Sequence, residues 1–211
     1  MEHNHKIELE RRCVVLKELR VVNGETSSQD PSIEGYAAVF DSWSESLGGN
    51  EPFIEKVCKG AFAQTIQEDD IRALFNHDPN YVLGRNIAGT LTLQEDDKGL
   101  LVRITPPNTQ WAKDLLVSIA RGDITQMSFG FTVELDRWSY EEGKDVRELL
   151  KVKLFDVSPV TFPAYTQTEC GLRSLEEIFK THKQVKEERD KQVNEEIKKK
   201  LALKKQKLKF L

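Results

Sequence analysis

Three side chains in this sequence, His77, Ser128 and Asp156, have the types that nucleophilic catalysis combines: an imidazole, a hydroxyl and a carboxylate. They lie far apart along the chain, so each is weighed first in its own segment. His77 follows the apolar run Ile71-Arg-Ala-Leu-Phe75 within Asn76-His-Asp78. Ile71, Ala73 and Phe75 share the parity of an extended strand, which places His77 on the inward face, where an imidazole needs a hydrogen-bond partner. A core histidine satisfied by a backbone carbonyl is the plainer reading. A metal site has little support, because the other histidines, His3, His5 and His182, all lie outside the body.

Ser128 belongs to Gln126-Met-Ser-Phe-Gly-Phe-Thr-Val133. Met127, Phe129, Phe131 and Val133 alternate with Ser128, Gly130 and Thr132, so one face is apolar and the other small and polar. A hydroxyl beside a glycine leaves the room that a nucleophile needs when a peptide backbone approaches. An ordinary strand serine beside a bulge glycine fits the same pattern. Asp156 closes Leu150-Lys-Val-Lys-Leu-Phe-Asp156, where Leu150, Val152 and Leu154 set a parity that Asp156 continues. A carboxylate in line with core side chains needs a partner. Capping of the turn at Ser158-Pro159 would supply one; a histidine would make it the third part of a serine triad.

The elements that must position these groups are mostly strands. Cys13–Val22 and Gly35–Phe40 read as strands, separated by a turn-rich break, and Asp41–Asn50 as a Ser/Gly/Asn loop. Further strands are expected at Ile71–Phe75, Ile87–Leu93, Leu100–Ile104, Met127–Leu135 and Leu149–Val157. Helical spacing of Val57, Ala61, Phe62 and Ile66 predicts a helix over 55–69, and Trp111, Leu115 and Ile119 predict another over 109–121, stopped by Gly122. Turns ending at Gly99 and around Gly143 look like hairpin connections and suggest antiparallel pairing.

Composition narrows the class. The chain has 211 residues, 38% hydrophobic and 31% charged, which fits a folded body rather than a disordered chain. No apolar run approaches the roughly 20 residues that span a bilayer, and the first residues have no apolar signal region, so neither a membrane nor a secreted protein is expected. Three cysteines, Cys13, Cys58 and Cys170, without a CxxC pair point to a reducing compartment and to neither a disulfide framework nor a zinc knuckle. The net charge of −4 hides an asymmetry. Residues 172–211 carry 13 basic against 7 acidic side chains, and the rest carries 18 against 28. An acidic body is not the footprint of a nucleic-acid binder. The sequence divides into an arm (1–12), a domain (13–171) and a charged helical tail (172–211).

The order of short motifs adds what no fragment gives alone. Gly35-Tyr-Ala-Ala-Val-Phe40, Gly60-Ala-Phe62, Asn76-His-Asp78 with Leu83-Gly84, Gly99-Leu100, Gly122-Asp-Ile124, Met127-Ser-Phe-Gly-Phe131 and Asp156-Val-Ser-Pro-Val-Thr-Phe-Pro-Ala164 resemble the prohead maturation proteases of tailed bacteriophages. The resemblance runs unbroken over about residues 14–170. It implies a mainly β, α+β fold like that of the herpesvirus assemblins, an antiparallel β-barrel flanked by helices. It also implies a serine endopeptidase with His77 as general base, Ser128 as nucleophile and Asp156 as orienting group. Asp78 competes for the last role, although adjacent strand residues point to opposite faces. The assemblins use an arginine after the third residue to stabilise the oxyanion; none lies between Asp156 and Arg173, so backbone N–H groups are expected instead.

The implied substrates are the major capsid protein and its scaffolding segment, then the protease itself, inside the procapsid in the bacterial host cytoplasm. No cofactor, metal, nucleic acid or membrane is implied, and self-association is left open. The tail would be a packaging or scaffold-like helix, or simply a solvated one. Two rival readings are a catalytically inactive scaffold-like procapsid protein of the same fold, and a cysteine hydrolase pairing Cys58 or Cys170 with His77.

Overall fold

The computed structural model describes residues 9–14, 18–23, 30–47, 52–162, 183–184 and 186–200. The longest strands are β9 (Gln126–Glu141) and β10 (Lys144–Val160), a hairpin closed by Glu142 and Gly143. Both turn residues have positive φ, 49° and 83°, the backbone that a two-residue type I′ turn demands and that glycine adopts at no steric cost. Around this hairpin the first sheet runs β1 (Glu10–Val14), β9, β10, β5 (Arg72–Phe75), β6 (Asp78–Arg85). β4 (Phe53–Val57) lies beside the first part of β10, and β5 beside its last part. The second sheet runs β2 (Arg20–Val22), β3 (Ser32–Val39), β8 (Gly99–Ile104), β7 (Leu91–Glu95).

The fold is mainly β with few helices, as expected, but the described strands form two sheets and do not close into one barrel. Nor is the pairing antiparallel throughout, since β4 and β5 both run parallel to β10. Crossovers from β4 and β5 to a distant β10 bring the strands in with the same sense, which a hairpin cannot do.

The helix expected over 55–69 shrinks to α1 (Thr65–Glu68), because β4 takes Phe53–Val57 with Phe53, Glu55 and Val57 buried in alternation. Its apolar spacing satisfied both periods, and pairing with β10 decides for the strand. The strand expected over 87–93 starts later, at Leu91, after a 3-10 turn at Asn86–Ala88. The single strand expected over 13–22 is two strands in different sheets, and β1 begins at Glu10, within the expected arm. The helix over 109–121 forms as α2 (Gln110–Arg121), ending at Gly122.

The core lies where Ile33, Ala37, Leu100 and Val102 of the second sheet cluster with Phe129, Phe131, Val152 and Leu154 of the first and with Leu115 and Ile119 of α2. Phe62 meets Phe129 edge-on at 5.5 Å, and Phe129 stacks on Phe131 at 4.8 Å. The apolar face of β9 is thereby fixed inward, and Ser128 and Gly130 are turned to the opposite face. Contacts divide the chain into Met1–Ser174 and Leu175–Leu211. Within the second unit, residues 183–184 and 186–200 are helical. Residues 1–8 of the expected arm (1–12), the boundary at 171/172, Cys170 and the lysine-rich end over 201–211 lie outside the described residues.

Candidate active site

His77, Ser128 and Asp156 meet at the end of the first sheet. The His77 ring bridges the other two: Nε2 is 2.7 Å from Ser128 Oγ and Nδ1 is 2.6 Å from Asp156 Oδ1. Both ring nitrogens are therefore engaged. The Ser128 and Asp156 residues are buried, and the His77 side chain is 7% exposed.

Each of the three arrives by a different local device. Ser128 is the third residue of β9, paired with Ser158 of β10 on one side and Cys13 of β1 on the other. Asp156 pairs with Gly130, and so lies on the same face of the sheet as Ser128. That position is not the one parity predicts. Leu154 pairs with Phe131 while Asp156 pairs with Gly130, and the intervening Phe155 is the extra residue of a β-bulge. The bulge breaks the alternation, so Leu154 stays in the core and Asp156 turns to the opposite face, beside the serine. Gly130 makes room there: a Cβ at this position would collide with Asp156 Oδ2 and lie 3.3 Å from its Cγ. The room that Gly130 leaves, expected to admit a peptide backbone, is taken by the carboxylate.

His77 is not a strand residue. Phe75 pairs with Asp78, so Asn76 and His77 are the two central residues of a tight hairpin, with φ of 54° and 57°. Asparagine tolerates this left-handed backbone better than most residues, and Asn76 is further tied to Thr161 by two hydrogen bonds, at 3.2 and 2.9 Å. The Asn76 N–H also donates to the Pro159 carbonyl at 3.0 Å. The turn that carries the imidazole is thus stitched to the end of β10. Asp78 accepts from the backbone and side chain of Asn80, both at 2.9 Å. His77 lies in a turn, so strand parity does not separate it from Asp78, and it is Asp156 that reaches the ring.

Ser158, expected at a turn, is a strand residue of β10 that joins the site. Its hydroxyl donates to Asp156 Oδ1 at 2.8 Å and accepts from the His77 backbone N–H at 3.3 Å. It fixes the carboxylate and the histidine backbone together. The signal was present in the spacing, because residues 156 and 158 share a face in any strand.

On the other face of β1 and β9 lies a buried ion cluster. Arg12 donates to Glu55 at 2.7 and 3.1 Å and to Glu10 at 2.7 Å. Arg147 reaches Glu10 at 3.2 Å, Glu55 at 3.0 Å and Asp136 at 2.7 Å. Burial works against the Arg12 cation, but Glu55 and Glu10 outweigh it and hold its pKa above the ordinary value. Burial likewise opposes the Glu55 charge, and Arg12 and Arg147 overcome it to hold that carboxyl below its usual range. For Cys58, burial and then Glu148 push the thiol up, which disfavours the thiolate that a cysteine nucleophile requires. Among the described residues no group of three His, Cys, Asp or Glu could hold a metal ion, and no helix is long and apolar enough to cross a membrane.

The arrangement can pass a proton from a serine hydroxyl to an imidazole held by a carboxylate. Among solved structures, the chain is similar to the capsid assembly protease gp21 of bacteriophage T4, with 11% identity, a TM-score of 0.48, and coverage of 74% of this chain and 99% of that one. No curated protein matches significantly. A family model described as caudovirus prohead serine protease matches residues 17–184. The chain belongs to the caudovirus prohead serine protease family.

Proposed function

We propose that this chain is a serine endopeptidase of procapsid maturation in which Ser128 is the nucleophile, His77 the general base and Asp156 the group that orients His77. One observation carries the reading: a single imidazole spans a serine hydroxyl and a carboxylate through its two different nitrogens, at 2.7 and 2.6 Å. An ionised carboxylate only accepts, so Nδ1 carries the ring proton and Nε2 presents a lone pair to Ser128. As Oγ attacks the scissile carbonyl, its proton passes to Nε2, and Asp156 stabilises the imidazolium that forms. The imidazolium then protonates the leaving amine, and water repeats the cycle on the acyl-enzyme.

The capsid protein and its scaffolding segment are the substrates in this reading, and the chain itself is a later one. The charged helix over 186–200 belongs to a tail that would serve packaging and be removed by self-cleavage. Co-expression with the neighbouring capsid protein, followed by mass-spectrometric mapping of new termini, tests the proposal. New termini with the natural chain and none with Ser128→Ala are expected; identical processing by both overturns it.

A further inference from the structure

One neighbour of Ser128 has no part in that chemistry. β1 lies along the edge of β9 with Cys13 opposite Ser128, and the Arg12 carbonyl oxygen is 2.9 Å from Ser128 Oγ. Ser128 has no exposed surface. Its hydroxyl holds one proton, and two acceptors face it: His77 Nε2 and the Arg12 carbonyl. When the carbonyl takes the hydrogen bond, the base loses the proton it must abstract. The contact also presents a carbonyl oxygen, rather than carbon, to the nucleophile, so a peptide strand lies over the serine in a pose that does not react.

We propose that β1 occupies the place of the substrate strand, and that the peptide replacing it pairs antiparallel with β9 and carries a basic side chain where Arg12 now lies. The inference rests on the serine reading above. A sheet edge accepts any extended backbone, because main-chain pairing is independent of sequence, while pockets under alternate residues select side chains. β1 is a short occupant of that edge, with five residues, and it is held beneath the sheet by the ion pairs of Glu10 and Arg12, so a peptide that displaces it must replace a buried cation. The pocket under Arg12 also has a preference. When β1 leaves it removes one cation and one carboxylate, so Glu55 and Asp136 share Arg147. An arginine or lysine from the substrate restores the second cation beside Glu55, and an acidic residue would add a third carboxylate to a buried site.

The test uses the full chain and a fluorophosphonate probe, with labelling at Ser128 read by mass spectrometry. Arg12→Glu, which sets a carboxylate against Glu55 and Glu10, should label at least ~10-fold faster than the natural chain, while Arg12→Lys should stay slow. A peptide of residues 9–14 should suppress labelling of Arg12→Glu, and the same peptide with Glu for Arg12 should need ~10-fold more. Equal labelling of the natural chain and a folded Arg12→Glu overturns the occupancy and leaves the serine reading standing. Equal competition by the two peptides overturns the basic preference. Should Arg12→Glu not fold, hydrogen exchange on the natural chain decides: amides of β1 should exchange by local opening ahead of those of β9 and β10, and exchange only through global unfolding overturns the proposal. Rapid β1 exchange with Ser128 never labelled strikes the serine reading instead.

Discussion

Gly130→Ala isolates the positioning of Asp156 from its chemistry. The substitution keeps every titratable group and adds one methyl. That methyl meets Asp156 Oδ2, and a return to the 3.4 Å of ordinary contact requires the carboxylate to retreat by about 1 Å. The carboxylate has little room to give, because Oδ1 is held by His77 at 2.6 Å and by Ser158 at 2.8 Å. The backbone cannot yield either, since Gly130 and Asp156 are paired across the β9–β10 ladder. Misplacement of a supporting group by ~1 Å costs on the order of 10²-fold in rate, about 2.7 kcal/mol in the barrier. Exchange of glycine for alanine in a strand otherwise favours the fold by roughly 0.5–1 kcal/mol, so strain and propensity partly offset and the protein should stay folded. The assay is kcat/KM on a peptide spanning a mapped capsid cleavage site, alongside thermal unfolding. Asp156→Asn supplies the control: if the methyl acts through the carboxylate, Gly130→Ala should add far less than its own ~10² in that background. Undiminished cleavage by a folded Gly130→Ala protein would refute the argument.

Ser128→Ala and His77→Ala should each abolish capsid processing without loss of fold, and Asp156→Asn should slow it by about 10⁴-fold while Asp78→Asn changes it little; steady-state cleavage rates check the ranking. Asn76→Val forces a β-branched residue into a left-handed turn and breaks both bonds to Thr161, so it should lower stability by ~1–3 kcal/mol in urea unfolding and reduce cleavage further through His77. Tyr36 donates to Asp96 at 2.7 Å, and that bond, with burial second, pushes its hydroxyl up to about 12. A raised folded-state value means the contribution is whole below the unfolded value near ~10 and is lost as pH rises through about 12, so the natural chain should lose more stability over that window than Tyr36→Phe, in which Lys56, also raised by its Glu148 partner, still titrates.

What could be read in the sequence and what could not separate on physical lines. Alternation along Met127–Val133 shows which face of β9 joins the apolar core, because a one-residue slip would turn Phe129 and Phe131 out of it together; the opposite facing of Ser128 is legible for that reason. The turn at Glu142-Gly143 and the end of α2 at Gly122 were legible because left-handed backbone selects glycine locally. That Asp156 needs a partner is legible in its sequence; the face it takes is not. A bulge at Phe155 is a property of two strands together, and one strand's residues do not declare it. The same holds for β4, whose residues fit a helix until β10 lies beside them. The family resemblance pointed to the three groups without requiring any of this geometry, so it gave no reason for their meeting.

The origins of the site's three parts set how it can fail. Ser128 and Asp156 belong to the β9–β10 ladder, the most extensive pairing in the fold, so changes that move them must strain a continuous hydrogen-bonded sheet. His77 hangs on a two-residue turn whose ties to the ladder are Asn76 to Pro159 and Thr161, and its own N–H to Ser158. Loosening that turn leaves the stacked rings of the core in place, yet it moves the one ring on which both short hydrogen bonds depend. Substitutions at Asn76, Ser158 and Thr161 should therefore cost more in cleavage than in unfolding free energy, whereas those at Phe129 or Phe131 should do the reverse, since their rings stack in the core behind the strand. A paired measurement of kcat and unfolding midpoint across these five positions makes the division visible. If the two groups lie on one common line, the turn is not the independent part that its bonding describes.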